Sequence, residues 1–308
     1  MFARLVPGPL VRLFARPYVA GGSLDDGLDV ARRLLGDDLI LSSLDLLGES
    51  VTERGEIEDN VRTYRQLIDG IAAEPRFVRS GYRPWGSAFP TVSLKPSAFT
   101  TGPLEDATAP IEALARYAAE RSVGLTIDME DRHFTDYTLD LAVGLFEQGL
   151  DVGTVLQTRL HRTERDLARI PTGMRLRLVI GIYPEPEDVA LTAKPEMKLR
   201  MLEHATRLLD QGCRVEFATH DEPTLERFLR EVAPAAPDRC EIQMLLGVPR
   251  ERFIRRMRAL EFGLMLPIRL YVPFARDWED ATAYLRRRMG ESPSMVWLVL
   301  RNLLPRRR

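Results

Sequence analysis

At 308 residues, with 45% hydrophobic residues, 29% charged residues and a formal net charge of −2, the chain has the make-up of a soluble globular enzyme. Near-neutral charge gives no electrostatic footprint for nucleic acid, and no run reaches the roughly 18 apolar residues that a membrane span requires. The two cysteines, Cys213 and Cys240, each border an apolar segment without CxxC spacing, as expected of reduced structural thiols in a cytosolic protein.

The start, MFARLVPGPLVRLFARPYVAGG, carries Arg4, Arg12 and Arg16 among its apolar residues. These arginines interrupt the continuous apolar core that a signal peptide needs. An amphipathic helix that packs on the body of the protein is expected, with contact to a membrane surface as the alternative. Ser23 then opens SLDDGLDVARRLL as an N-cap followed by acidic first-turn residues, a helix start signal. Eight short apolar segments follow: LILSSLDLL (39–47), TVSLKPS (91–97), GLTIDMED (124–131), GTVLQTRL (153–160), LRLVIGIY (176–183), RVEFATHD (214–221), CEIQMLLG (240–247) and LMLPIRLYVPF (264–274). Helical periodicity fills 51–75, 108–121, 135–149, 195–212, 222–233 and 250–261. GYRPWGSAFP (81–90) is punctuated by Pro and Gly, and the end, MVWLVLRNLLPRRR, reads as a docked helix with a basic finish.

Eight buried strands alternating with helices is the count that closes a TIM-like (β/α)8 barrel, an α/β fold with its site at the carboxyl ends of the strands. The expected organisation is a single domain: an N-terminal helical segment (1–38), a barrel catalytic domain (39–308), and a C-terminal helix near the barrel mouth. The strand-end rule nominates Lys95, Asp128, Gln157, Tyr183, His220, Gln243 and Tyr271. Neither GxGxxG nor GxxxxGK[ST] occurs, which argues against a Rossmann site and a P-loop. The four histidines lack the spacing of a zinc site, and no metal is expected. Lys95 and Asp128, on neighbouring strands, are expected to pair. With Arg177, Arg287 and Arg288 added, the mouth would hold an excess of cations, which points to an anionic ligand. The loops LLGVPRE and VPFARDW are too poor in glycine for the usual phosphate cradle of a barrel, so a planar ligand stacked on the strand ends is at least as plausible. Each nominated residue also has a structural reading, as an ion pair, a strand-end cap or rim packing.

At this point six segments resemble, in order, those of the proline dehydrogenase family in its single-domain bacterial form. They are TIDMED (126–131), LQTRLHRTERDL (156–167), RLVIGIYPEP (177–186), ATHD (218–221), QMLLGVPRE (243–251) and YVPF…RRMGE (271–291), and the likeness runs over nearly the whole chain. The resemblance implies FAD held non-covalently and oxidation of L-proline to 1-pyrroline-5-carboxylate by hydride transfer to the flavin. Electrons would pass to a quinone, placing the protein in the cytoplasm or at the inner face of the membrane. A pyrroline-5-carboxylate dehydrogenase would take the product. Carried over by position, Lys95, Arg287 and Arg288 grip the substrate carboxylate, and Asp128 holds Lys95. Leu178, Tyr183 and Tyr271 line the ring pocket, and Arg177 lies near the flavin. Met129, Gln157, Ile180, Gly181, Ile182, Thr219 and His220 contact the cofactor. Departures from the family pattern are Arg159 for a tyrosine, Ile180 for a lysine, Ile182 for an alanine, and Ala275 and Arg276 in the loop after the last strand. Ile182 is expected to crowd the pocket. Two other readings are a diverged flavoprotein acting on another cyclic amino acid or without turnover, and a lyase with Lys95 as a Schiff base.

Overall fold

Eight parallel strands close into a barrel in chain order: β1 (Leu41–Leu46), β2 (Thr91–Leu94), β3 (Leu125–Ile127), β4 (Val152–Gln157), β5 (Arg175–Val179), β6 (Arg214–Ala218), β7 (Cys240–Leu245) and β8 (Ile268–Phe274). This computed structural model describes residues 17–49, 51–79, 90–279 and 281–282. Residues 1–16 of the amphipathic start, most of the 81–90 segment, the arginine run Arg286–Arg288 and the C-terminal helix expected at the mouth lie outside the described residues. Every apolar segment read from the sequence became a strand, somewhat shortened. β2 stops at Leu94 because Pro96 begins a 3-10 turn behind Lys95, and β8 starts just after Pro267.

Helices α1 (Leu24–Asp38), α2 (Arg54–Ala73), α3 (Pro75–Arg79), α4 (Thr108–Ala119), α5 (Thr135–Glu147), α6 (Thr163–Asp166), α7 (Lys194–Asp210), α8 (Glu222–Arg227) and α9 (Glu251–Arg258) lie between and before the strands. Helix α1 starts where the sequence places it: the Ser23 side chain accepts from the Asp26 amide at 3.1 Å, with Asp25 and Asp26 in the first turn. It packs against β1 and β8 and so covers the seam where the barrel closes. Helix α1 is therefore part of the outer layer of the barrel. Ahead of it, residues 17–22 run along the rim: the Ala20 amide donates to Pro273 O (2.8 Å), and the Ala275 amide to Gly21 O (3.0 Å). The 222–233 segment is helical throughout but changes from α8 to a π turn, Phe228–Val232, which stacks Phe228 on Phe217 of β6 with ring centroids 4.0 Å apart.

The apolar core lies between strands and helices and includes Leu44, Val92, Ile127, Leu176, Leu178, Phe217, Ile242 and Leu270. Inside the barrel the fold departs from the usual layers of branched aliphatics. The interior is polar: Arg177 of β5 reaches across to Ser43 of β1 and Ser93 of β2. Cys213 and Cys240 are buried free thiols, and burial pushes them up to about 11 and about 12, so both stay unreactive.

Candidate active site

Successive strand residues face opposite sides of the wall, so the site is built from every second residue. On β1 these are Ser43 and Asp45, on β2 and its exit Ser93 and Lys95, beyond β3 Asp128, on β5 Arg175 and Arg177. Strand β6 adds Glu216, β7 Glu241 and Gln243, and β8 Arg269 and Tyr271. Most of these are charged and nearly all are buried. They form two tiers.

The upper tier lies at the carboxyl ends of the strands. The Lys95 ammonium donates to Asp45 Oδ2 at 2.7 Å and to the Tyr271 hydroxyl at 3.1 Å, with Glu49 at 3.6 Å and Asp128 at 3.7 Å. Asp128 accepts from Arg177 Nη1 at 2.5 Å and from the Tyr271 hydroxyl at 2.6 Å. The Tyr271 ring is flanked by Lys95 and Arg177, whose charges lie 5.7 and 5.1 Å from its centroid. Burial opposes the charge on Lys95, but Asp45, Tyr271, Glu49 and Asp128 together hold it well above its usual value, so it stays an ammonium. Burial likewise raises the Tyr271 hydroxyl, helped by Asp128, and the phenol keeps its proton. Burial pushes Asp45 up to about 6; Lys95 opposes this, while Asp128 and Glu49 add to it. Asp45 is thus held above the usual carboxylate range.

The lower tier supports the upper one. Arg175 donates to Glu216 (2.8 Å) and Asp151 (2.9 Å), and Arg269 donates to Glu241 at 2.7 Å. Gln243 joins the tiers, accepting from Arg177 Nε at 2.6 Å while donating to both glutamates.

Strands β4 to β7 form the other half of the mouth, and it is of different character. Gln157 donates to Glu130 O at 2.8 Å. Gly181 has φ +107°, and a Cβ there would stand 2.8 Å from Gln157 Oε1, so glycine lets the chain pass close beside that amide. Ile180 is half-buried, and Ile182 protrudes with 66% of its surface open. Met129 is buried, and Tyr183 is half-buried, its carbonyl taking a bond from Arg159 at 3.0 Å. Thr219 Oγ1 accepts from the Asp221 amide (3.2 Å). The Leu245 amide donates to His220 Nε2 at 2.9 Å, which leaves the proton of the neutral ring on Nδ1. Partial shielding and Arg250 lower the pKa of this rim histidine, so it is neutral at physiological pH.

Several expectations change. The nearest partner of Lys95 is Asp45; the expected pair with Asp128 is present at 3.7 Å, with Asp128 bonded directly to Arg177 and Tyr271. The sequence reading missed Asp45 because it lies inside an apolar run. Leu178 does not line the mouth: with Arg177 facing inward, the two-residue period turns its neighbour into the fully buried layer under the helices. The mouth shows no excess of cations among the described residues, since Lys95 and Arg177 each face carboxylates. Ile182 does not overpack the wall. Lys95, held protonated, is a poor Schiff-base nucleophile, which removes the basis for the lyase reading. Glu216, Glu241 and Arg269 were also missed, although each is a charge within an otherwise mostly apolar strand and the period-two pattern marks all three as inward. No group of three His, Cys, Asp or Glu side chains among the described residues is placed to hold a metal. A cavity of about 170 Å³ lined by Thr158, His161, Glu164, Arg200 and His204 includes none of the network residues.

Comparison with known proteins agrees with this geometry. The family profile described as Proline dehydrogenase matches residues 30–296. Proline dehydrogenase of Deinococcus radiodurans is 30% identical over 305 residues, covering 94% of this chain and 90% of that protein. Proline dehydrogenase 1 of Bacillus subtilis is 29% identical, covering 95% and 91%. A crystal structure of proline utilization A from Bdellovibrio bacteriovorus, inactivated by N-propargylglycine, superposes with a TM-score of 0.75 at 22% identity. It shares the barrel, and this chain (95% covered) spans 34% of that longer protein.

Proposed function

Since the chain belongs to the proline dehydrogenase family of FAD-dependent oxidoreductases, we propose that it oxidises L-proline, or a close cyclic amino acid, to the cyclic imine, which for proline is 1-pyrroline-5-carboxylate. The observation that carries this reading is the division of the mouth. A buried network of Lys95, Asp45, Tyr271, Asp128 and Arg177 lies beside a rim after β4, β5 and β6 that carries Gln157, Ile180, Ile182, Thr219 and His220, with Arg159 alongside Gly181.

That rim suits a flavin. Ile180 and Ile182 offer apolar surface to a planar ring, and the Gly181 backbone can be approached closely. Gln157, Thr219 and the Nδ1–H of His220 offer neutral hydrogen-bonding groups for the ring edge and the polyol and pyrophosphate chain; Met129 packs below. When bound, the flavin is the two-electron acceptor: a hydride leaves the ring carbon next to nitrogen, the amine proton leaves to solvent, and the C=N bond forms. Arg177 is a fixed cation braced by Asp128 and Gln243, suited to stabilise the negative charge gained on reduction. Lys95 offers an ammonium to the substrate carboxylate, joined by Arg287 and Arg288 as the family likeness implies. Tyr183 and Tyr271 flank the ring, and the Tyr271 hydroxyl keeps Asp128 and Lys95 in register. Electrons then pass to a quinone at the inner face of the membrane, and the imine goes to a pyrroline-5-carboxylate dehydrogenase. No helix among the described residues is long and apolar enough to cross a membrane; the membrane contact proposed here is peripheral.

The test is the visible spectrum of the purified protein. A flavin spectrum that bleaches on anaerobic addition of L-proline is the expected result. A flavoprotein that no cyclic or N-alkylated amino acid reduces would overturn the substrate class.

A further inference from the structure

Gln243 lies below the mouth, yet Arg177 depends on it. Its Oε1 accepts from Arg177 Nε at 2.6 Å, and its Nε2 donates to Glu216 Oε2 at 2.7 Å and to Glu241 Oε1 at 2.7 Å. Both glutamates are buried and, when ionised, can only accept. Together they dictate which end of the amide faces which way: nitrogen toward the acids, oxygen toward the arginine. The acids themselves are held from outside the amide. Arg269 grips Glu241 through Nε (2.7 Å) and Nη2 (3.2 Å), and Arg175 grips Glu216 at 2.8 Å. Arg177 Nε lies 3.9 Å from Glu216 Oε2, so Glu216 is a competing acceptor one short swing away.

We propose that Gln243 is a positioning residue for Arg177: it occupies Nε, keeps the guanidinium from turning down toward Glu216, and so holds Nη1 on Asp128 beneath the cofactor rim. The consequence for a bound flavin rests on the function proposed above; the orientation of Arg177 does not. An amide is required because it must accept from Arg177 and donate to two carboxylates at once. Leucine can do neither. A protonated glutamate in its place can accept from Arg177 through its carbonyl but donate through its hydroxyl to one carboxylate only; an ionised one still accepts from Arg177 and repels both glutamates. The charged groups around that position are Arg177 and Arg175 on β5, Glu216 on β6, Glu241 on β7, Arg269 on β8 and Asp128 beyond β3. The two glutamates stand nearest and favour the protonated form.

The experiment compares wild type, Gln243→Leu, Gln243→Glu and Gln157→Leu as full-length proteins. The first readout needs no flavin chemistry: the Arg177 Nε–H resonance in ¹⁵N spectra, assigned with Arg177→Lys. In Gln243→Leu this resonance should shift and lose protection from solvent exchange, while Gln157→Leu leaves it unchanged. On the holoprotein, Gln243→Leu should lower the flavin midpoint potential and reduce kcat about tenfold or more with KM for proline little altered, one charge-assisted hydrogen bond being lost. Gln243→Glu should come nearest wild type at low pH and depart from it in the Arg177 resonance as pH rises, when the new carboxylate repels Glu216 and Glu241 while still accepting from Arg177, a profile that wild type lacks. An unmoved Arg177 resonance in Gln243→Leu, or a Gln243→Glu protein without that pH dependence, would overturn the proposal. If the resonance behaves as expected but L-proline does not reduce wild type, the substrate reading fails and the positioning role stands. Should the leucine variant not fold, the pH dependence of Gln243→Glu still decides.

Discussion

Replacing Lys95 by methionine removes the one ammonium that faces Asp45, Glu49 and Asp128, while keeping the length of the side chain. At 2.7 Å the pair with Asp45 is worth about 6 kcal/mol of gross attraction at an effective dielectric near 20. Much of that offsets the cost of burying both charges, so the pair itself adds little net stability. Deleting one partner is a different matter, because it strands the other, and the expected cost of Lys95→Met is about 3–5 kcal/mol at pH 7.5. Adding Asp45→Asn removes the stranded charge and should recover more than half of the loss. Wild type, the two single variants and the double variant form a cycle, read by urea denaturation at pH 7.5 and pH 5. The pH arm has a defined sign. Burial lifts Asp45 from about 3.8 to about 6 in the folded protein, so its contribution is fully present below pH 4 and is lost as pH rises through 6. The size is about 3 kcal/mol, and Asp45→Asn should flatten that part of the stability curve. Lys95→Met should likewise cost less at pH 5, where Asp45 is protonated. Single-variant losses that add to within about 0.5 kcal/mol in the double variant would refute the reasoning, because uncoupled sites behave that way.

Gly181→Ala forces a side chain onto φ +107° with its Cβ 2.8 Å from Gln157 Oε1; it should cost about 1–3 kcal/mol in a melting curve and reduce the flavin-to-protein ratio. Ile182→Ala, at a largely open side chain, should leave stability within about 0.5 kcal/mol and instead change relative kcat/KM among proline and its ring analogues. A lowered melting temperature with unchanged selectivity would retire it as a pocket residue. Leu39 ends α1 at φ 51° with 79% of its surface open; Leu39→Gly should raise stability by up to about 1 kcal/mol, the left-handed cost to leucine exceeding the entropy that glycine loses. For Arg288, the family likeness predicts that Arg288→Met raises KM for proline with flavin content intact, while Arg286→Met changes KM little; steady-state kinetics and absorbance separate the two.

The strands were legible because a parallel strand buried on both faces reads as a short apolar run bounded by polar residues. LILSSLDLL, LRLVIGIY and CEIQMLLG all have that form, and the helices between them show their own period. The network was legible in part: Lys95, Asp128, Arg177, Gln243 and Tyr271 stand at or near the carboxyl ends of their segments. Its remaining members sit within the runs and are joined over long distances in sequence. Asp45 meets Lys95 across 50 residues and Tyr271 meets Asp128 across 143, and no local spacing encodes either pair. Parity does encode which residues can take part. Ser43 with Asp45, Ser93 with Lys95, Arg175 with Arg177, Glu241 with Gln243 and Arg269 with Tyr271 are each two apart, so one inward assignment per strand fixes the others. Leu178 shows the penalty for ignoring parity: it adjoins Arg177, yet the pleat gives it to the layer under the helices. A one-residue change of register would exchange the two layers along a whole strand, placing lysine, arginine and aspartate against leucine and phenylalanine with no partner for their charges. The polar interior therefore also specifies register, because the ions on β1, β2, β5, β6, β7 and β8 find their counter-ions only when those strands are in step.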